Sequence, residues 1–181
     1  LIESVSYKLD QSLLVMMSYK DDDGGKMIEM TTDAPAGGVY VRVALAYDDA
    51  GNIAETTVYD LDGGVKAKAV NGYDAKGNKV KRTAYGPSGR AMQETQYRYD
   101  GGGRLVEVTH SSPSGAVTST TTYKYDQNGN NIETTTSHGV ADLRTTTTMA
   151  YDKKGNRIER ANYNKLGEPV SITKYIYTYY E

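Results

Sequence analysis

Cysteine, phenylalanine and tryptophan are all absent from this 181-residue chain, and proline occurs only 4 times. Without cysteine there is no disulfide, no thiolate metal site and no thiol chemistry. Without Phe and Trp, and with large aliphatic residues sparse, the interior is expected to be thin and built from Tyr, Val, Ile and Thr. Charge of one sign is also lacking. The net charge is -2, with acidic and basic residues interspersed. That balance gives no electrostatic footprint for nucleic acid or an anionic membrane. No stretch approaches the roughly 20 apolar residues of a membrane-spanning helix. The chain begins at Leu1 and not Met, which reads as a processed product or a fragment.

What the chain has is tyrosine, 17 times, and glycine, 19 times. Tyrosine returns every 26 residues at Tyr47, Tyr73, Tyr99, Tyr125, Tyr151 and Tyr177. Glycine keeps the register four places later at Gly51, Gly77, Gly103, Gly129 and Gly155, and Gly25 extends it although residue 21 is Asp. A strict period means stacked copies of one supersecondary unit, here a single array over residues 1–181.

A second, weaker copy of the signal lies between successive turns. It reads Tyr59 to Gly63, Tyr85 to Gly89 and Tyr163 to Gly167, with degenerate versions at Asp33–Gly37, Ser111–Gly115 and Ser137–Ala141; Tyr7 to Gln11 opens the series. Each unit thus holds two turns, alternately 12 and 14 residues apart. In Tyr47-Asp-Asp-Ala-Gly-Asn52, Asp48 can accept backbone N–H bonds at the start of a type I turn. Gly51 can then supply the left-handed residue that closes a bulged hairpin. The intervening segments alternate with period two. Val117, Ser119, Thr121, Tyr123 and Tyr125 share one face, and Thr118, Thr120, Thr122 and Lys124 share the other. The reading is all-β: an antiparallel meander of about 14 strands, extending on the order of 65 Å at about 4.8 Å per strand. A sheet that wide is expected to coil into a spiral or partial shell.

These residues resemble a known family. Tyr-Asp-x-x-Gly-Asn, at Tyr47–Asn52, Tyr73–Asn78, Tyr125–Asn130 and Tyr151–Asn156, is similar to the YD repeat of Rhs proteins, wall-associated proteins, toxin-complex shells and teneurins. Tyr99-Asp-Gly-Gly-Gly-Arg-Leu105 looks like its Gly-Arg-Leu variant. The resemblance covers roughly residues 19–177. It implies a spiral of β-hairpins in large secreted or surface proteins, some enclosing a toxic domain and others contributing to adhesion or carbohydrate contact. It implies no catalytic residues in the repeats.

The periodic residues read as scaffold. The tyrosine ladder serves packing, with hydroxyls at the sheet margin; its alternative is a sugar-stacking strip. A glutamate series, Glu3, Glu29, Glu55, Glu107, Glu133 and Glu159 with Lys81 as the exception, reads as paired or solvated and not as a calcium site. His110 and His138 lie out of register and make no triad. The threonine runs follow from β-propensity. No catalytic, cofactor or metal residue is assigned, no enzyme activity is expected, and binding falls to residues that break the repeat.

The ends differ from the middle. Leu13–Met17 is apolar on both faces, and Val170, Ile172 and Ile176 oppose Tyr175 and Tyr177 near the C-terminus. Edge strands of this kind invite pairing with another chain. The candidate self-association edges are Leu1, Ile2, Val5 and Tyr7 at one end and Ile172, Tyr175, Ile176, Tyr177 and Tyr179 at the other. The resulting expectation is a secreted or cell-surface structural protein that associates end to end, Ile172–Tyr180 pairing with Leu1–Tyr7 of the next copy. The alternative is a segment of a larger Rhs-like protein that forms a shell or contacts a carbohydrate or cell-surface partner. Neither reading involves nucleic acid or membrane insertion.

Overall fold

The fully described repeat turns solve the same problem, reversing the chain in five residues with their backbone polar groups paired. At the first full motif Gly51 N donates to Asp48 O and Asp48 N donates to Asn52 O, both at 2.9 Å. The Asp48 side chain accepts from Asn52 N at 2.8 Å, and Asn52 Nδ2 donates back to the same carboxylate. Gly51 has φ 85°, which closes a type I turn with a one-residue bulge. The weaker turns have the same geometry: Gly63, Gly89, Gly115 and Gly167 all have positive φ and donate to the residue three places back.

The computed structural model describes residues 2–7, 13–33, 41–139 and 143–178. The chain forms two compact units, Leu1–Glu94 and Thr95–Glu181. The first holds β1 (Ile2–Tyr7), β2 (Leu13–Asp21), β3 (Met27–Asp33), β4 (Val41–Tyr47), β5 (Ile53–Tyr59), β6 (Val65–Tyr73), β7 (Lys79–Tyr85) and the start of β8 (Ala91–Tyr99). The second holds the rest of β8, then β9 (Leu105–Ser111), β10 (Val117–Tyr125), β11 (Asn131–His138), β12 (Leu143–Tyr151), β13 (Arg157–Tyr163) and β14 (Pro169–Lys174). Sheet order is chain order, β1 to β14, in one antiparallel meander with no helix among the described residues. The all-β reading and the strand count stand. The eroded turns at Tyr7–Gln11, Asp33–Gly37 and Ser137–Ala141 lie partly outside the described residues.

Bulges fall where the motif puts them. The register shifts at Ala46/Tyr47, Gly72/Tyr73, Lys124/Tyr125 and Ala150/Tyr151, so each of these four tyrosines stands opposite the first residue of the next strand. Burial is thin. Among the described residues the buried apolar side chains are Ala69, Val108 and Ala161, and the buried polar ones are Thr57, Thr95 and Thr135. A sheet with these two faces offers no layer deep enough for a Leu or Tyr to vanish.

The last strand ends at Lys174, short of the expected Ile172–Tyr180. Its neighbour β13 begins at Arg157, and just past β14 Tyr175 N donates to Ile158 O at 2.9 Å.

Candidate functional site

The motif tyrosines act as clamps between turns of successive repeats. In five of them the hydroxyl donates to the carbonyl of the residue twenty places back, the first residue after the preceding motif turn. Tyr47 reaches Met27 O at 2.6 Å and Tyr73 reaches Ile53 O at 2.9 Å. In the second unit Tyr125 reaches Leu105 O at 2.8 Å, Tyr151 reaches Asn131 O at 2.9 Å and Tyr177 reaches Arg157 O at 3.1 Å. Bulging frees those carbonyls from the regular ladder, and the phenol satisfies them. Burial, then the charge of Asp48, raises the pKa of Tyr73, which keeps that donor protonated. Cations cover several rings: Lys26 lies 5.2 Å from the Tyr47 centroid and Arg104 5.3 Å from that of Tyr125.

The glutamate series is an ion-pair row. Glu29 pairs with Arg42 (3.1 Å), Glu55 with Lys68 (2.6 Å), Glu107 with Arg98 (2.8 Å) and Glu133 with Lys124 (2.9 Å). Lys174 approaches Glu159 at 3.9 Å. Lys81, the exception in the series, pairs with Glu94 at 2.7 Å. Glu94 stands one period after Lys68, so the Glu55–Lys68 pair recurs with its charges exchanged. The partner comes from the following strand at Glu29, Glu55 and Glu159, and from the preceding strand at Glu107 and Glu133. A hydrogen bond from Lys68 leads the causes that hold the Glu55 carboxyl below its usual value. The described residues contain no cluster of three or more metal-ligating side chains.

The opposite, tyrosine-bearing face has a mid-line of cross-strand pairs fifteen residues apart. In the second unit these are polar: Thr95 Oγ1 to His110 Nδ1 (3.0 Å), Thr121 to Thr136 (3.1 Å) and Thr147 to Asn162 Oδ1 (2.8 Å). Asn162 Nδ2 continues the row to Ser171 Oγ at 2.7 Å. His110 is thus one more side chain in this row, with the 2% exposed Thr95 as its partner. In the first unit the same pairs are Val43↔Val58 and Ala69↔Ala84.

The alanine pair opens a groove of about 510 Å³ over β6 and β7, within the first unit. Ala67, Ala69 and Ala84 floor it, standing where the preceding repeat has Val41, Val43 and Val58. At one end Asn71 replaces the Leu45, Tyr97, Tyr123 and Met149 of the other repeats. Asn71 Nδ2 donates to Ile53 O at 2.8 Å, while its buried Oδ1 has no partner. Facing Asn71 in register is the half-buried Arg82. Binding is expected at residues that break the repeat, but taken singly Ala67, Ala69 and Ala84 are ordinary strand residues and do not mark this place. Aligning the 26-residue columns would have revealed it.

At the C-terminal edge Val170 is 69% exposed, Ile172 55% and Ile176 94%. Tyr175 and Tyr177 fold back onto the start of β13: Arg157 donates to Tyr175 Oη at 3.1 Å and lies over its ring, and Tyr177 clamps Arg157 O. At the N-terminal edge Ile2, Val5 and Tyr7 lie in β1, which pairs with β2; Leu1 and Tyr179 lie outside the described residues.

Comparison with known proteins follows the same register. Residues 73–117 match the RHS repeat family. No curated protein sequence matches the chain. Among solved structures, a chain of the Photorhabdus luminescens Tc holotoxin pore aligns over 95% of this chain at TM-score 0.64 and 15% identity, which establishes a common fold. This chain spans only 9% of that chain's length. A porin-like protein from Bacteroides uniformis aligns over 94% of this chain and 86% of its own at TM-score 0.49 and 10% identity. Residues 73–117 thus carry the RHS repeat signature, and the same Tyr-Asp-x-x-Gly-Asn register continues on both sides of them.

Proposed function

We propose that the chain is a non-enzymatic structural segment whose sheet is continued beyond β14 by strand addition. In the isolated chain the added strand comes from a second copy, presenting its β1 edge to the β14 edge. The observation that carries this reading is β14 itself. It is the last strand of the sheet order, and it exposes Val170 and Ile172 beside the exposed Ile176. Such an edge is a template for another chain unless something covers it. Backbone bonds give the affinity and the apolar side chains give the register. A head-to-tail contact of this kind propagates unless its rotation closes a ring. A location outside the cell or at its surface belongs to the same proposal.

A second reading is supported by the length relation with the toxin-pore chain: the segment is one stretch of a much longer sheet, and the strand beyond β14 is the next repeat of the same polypeptide. Sedimentation velocity across a concentration series separates the two. Self-association requires species that grow with concentration and vanish on Ile172→Lys or on removal of residues 171–181. A monomer at every concentration supports the longer-sheet reading.

A further inference from the structure

We infer that Asn128 is a spontaneous modification site, where the chain converts its own side-chain amide to an isoaspartyl or aspartyl residue through a succinimide. The inference is independent of the strand-addition reading. Two asparagines of the sequence precede glycine, Asn71 and Asn128. That pairing matters because the reaction is an attack by the backbone nitrogen of the following residue, and glycine puts no Cβ in its path. The Gly129 nitrogen, having lost its proton, bonds to Asn128 Cγ; the Cγ–Nδ2 bond breaks and Nδ2 leaves as ammonia, taking up that proton. Water then opens the five-membered ring. Addition at Cγ gives aspartate, and addition at the α-carbonyl gives isoaspartate, in which the backbone runs through the former side chain. Nothing is oxidised or reduced, and water is the only co-reactant.

The structure sets the two sites apart. Asn128 is exposed, and its side chain makes no hydrogen bond to a described residue. Nothing lies within 4 Å of where a Gly129 Cβ would stand, so the ring forms in open space. Closing it requires the peptide between residues 128 and 129 to rotate until its nitrogen faces Cγ. In this exposed turn the rotation breaks the bond from Gly129 N to Asp126 O, 3.1 Å long, which is a local opening and not an unfolding. Asn71 lies inside β6, opposite Arg82, with Gly72 opposite Lys81. Its Nδ2, the leaving group, is fixed on Ile53 O at 2.8 Å, and its Oδ1 is buried. Rotating that peptide disrupts the ladder as well as the side-chain bond, and each bond lost is worth about five- to tenfold in rate. Among the described turns Asn128 is the one asparagine in front of a left-handed glycine; Ala50, Lys76, Ser88, Ser114 and Lys154 hold its position elsewhere. The product alters the turn. Isoaspartate adds a CH2 to the backbone between Asp126 and Gly129, which spoils the spacing of their bond. Aspartate instead adds a negative charge beside Asp126, whose carboxylate holds Asn128 N and Asn130 N.

The test is prolonged incubation of the full chain at neutral and mildly alkaline pH, natively and in parallel in concentrated urea, followed by peptide mapping with electron-transfer fragmentation. In the native chain the Asn128 peptide should convert at least about tenfold faster than the Asn71 peptide, the effect of the bonds that hold Asn71. In urea, where those bonds are gone, the two rates should converge. Isoaspartate should be among the products, and the rate should rise with pH because the deprotonated nitrogen attacks. Asn128→Ser carries the residue that Ser88 and Ser114 place in two other turns, so it should keep the thermal midpoint while abolishing conversion there. Equal native rates at the two sites, faster conversion at Asn71, aspartate as the sole product, or an Asn128 that converts in urea but not natively, each overturns the proposal.

Discussion

Tyr125 Oη donates to the carbonyl of Leu105 at 2.8 Å, twenty residues back in the chain and across one strand pair. The same bond recurs at Tyr47, Tyr73, Tyr151 and Tyr177, and it explains why the motif demands tyrosine. Removing the hydroxyl strands a carbonyl that the bulge has released. Tyr125→Phe should therefore cost about 1 kcal/mol in urea unfolding, the usual net worth of such a bond. Tyr59→Phe is the matched control. Arg42 stacks 3.8 Å from that ring's centroid, a contact phenylalanine retains, so the expected change is under about 0.5 kcal/mol.

Gly129 tests the turn. Its φ is 85° and nothing lies within 4 Å of where a Cβ would stand. A loss of stability in Gly129→Ala is then backbone strain alone, expected at about 1–2 kcal/mol. Gly129→Asn should recover much of that loss, because asparagine tolerates the left-handed region. Equal stability of both variants with the parent would contradict the turn geometry.

The exchanged pair Lys81–Glu94 predicts a specific double-mutant pattern. Lys81→Glu places two carboxylates together and should destabilise by a few tenths to about 1 kcal/mol, less at high salt. Adding Glu94→Lys should restore most of that loss. Additive effects of the two substitutions would mean that the pair is not energetically coupled.

Acid should loosen the turns together. The carboxyls of Asp48, Asp74, Asp100 and Asp126 are held below their ordinary values, chiefly by hydrogen bonds from Asn52, Asn78, Arg104 and Asn130 respectively. A depressed folded pKa contributes stability that is present in full above the unfolded carboxylate's pKa, near 4, and is lost as pH falls through the lowered value. The urea midpoint should thus be flat from neutrality to about pH 5 and decline below about pH 4. Replacing all four aspartates by asparagine should flatten that decline.

Much of this was legible in the 26-residue register. Tyr47 and Gly51 located the bulged turns, and the alternation in Val117–Tyr125 gave the strand faces. The partner of each tyrosine was not legible, since the carbonyl twenty residues back is chemically silent in sequence and is exposed only by the bulge. Lys81 looked like a lapse in the glutamate series until Glu94 was placed beside it. The groove was hidden for another reason. Ala67, Ala69 and Ala84 are ordinary strand residues taken singly, and they make a hollow only beside the bulkier residues of neighbouring repeats.

Hydrogen exchange at β14 tests the central claim most directly, because an unpaired edge strand and a continued one differ in the protection of their outward amides. Exchange over residues 169–175 of the isolated chain, followed across a concentration series, should slow as concentration rises while the interior strands stay constant. Fast exchange at that edge, independent of concentration, would contradict strand addition by a second copy.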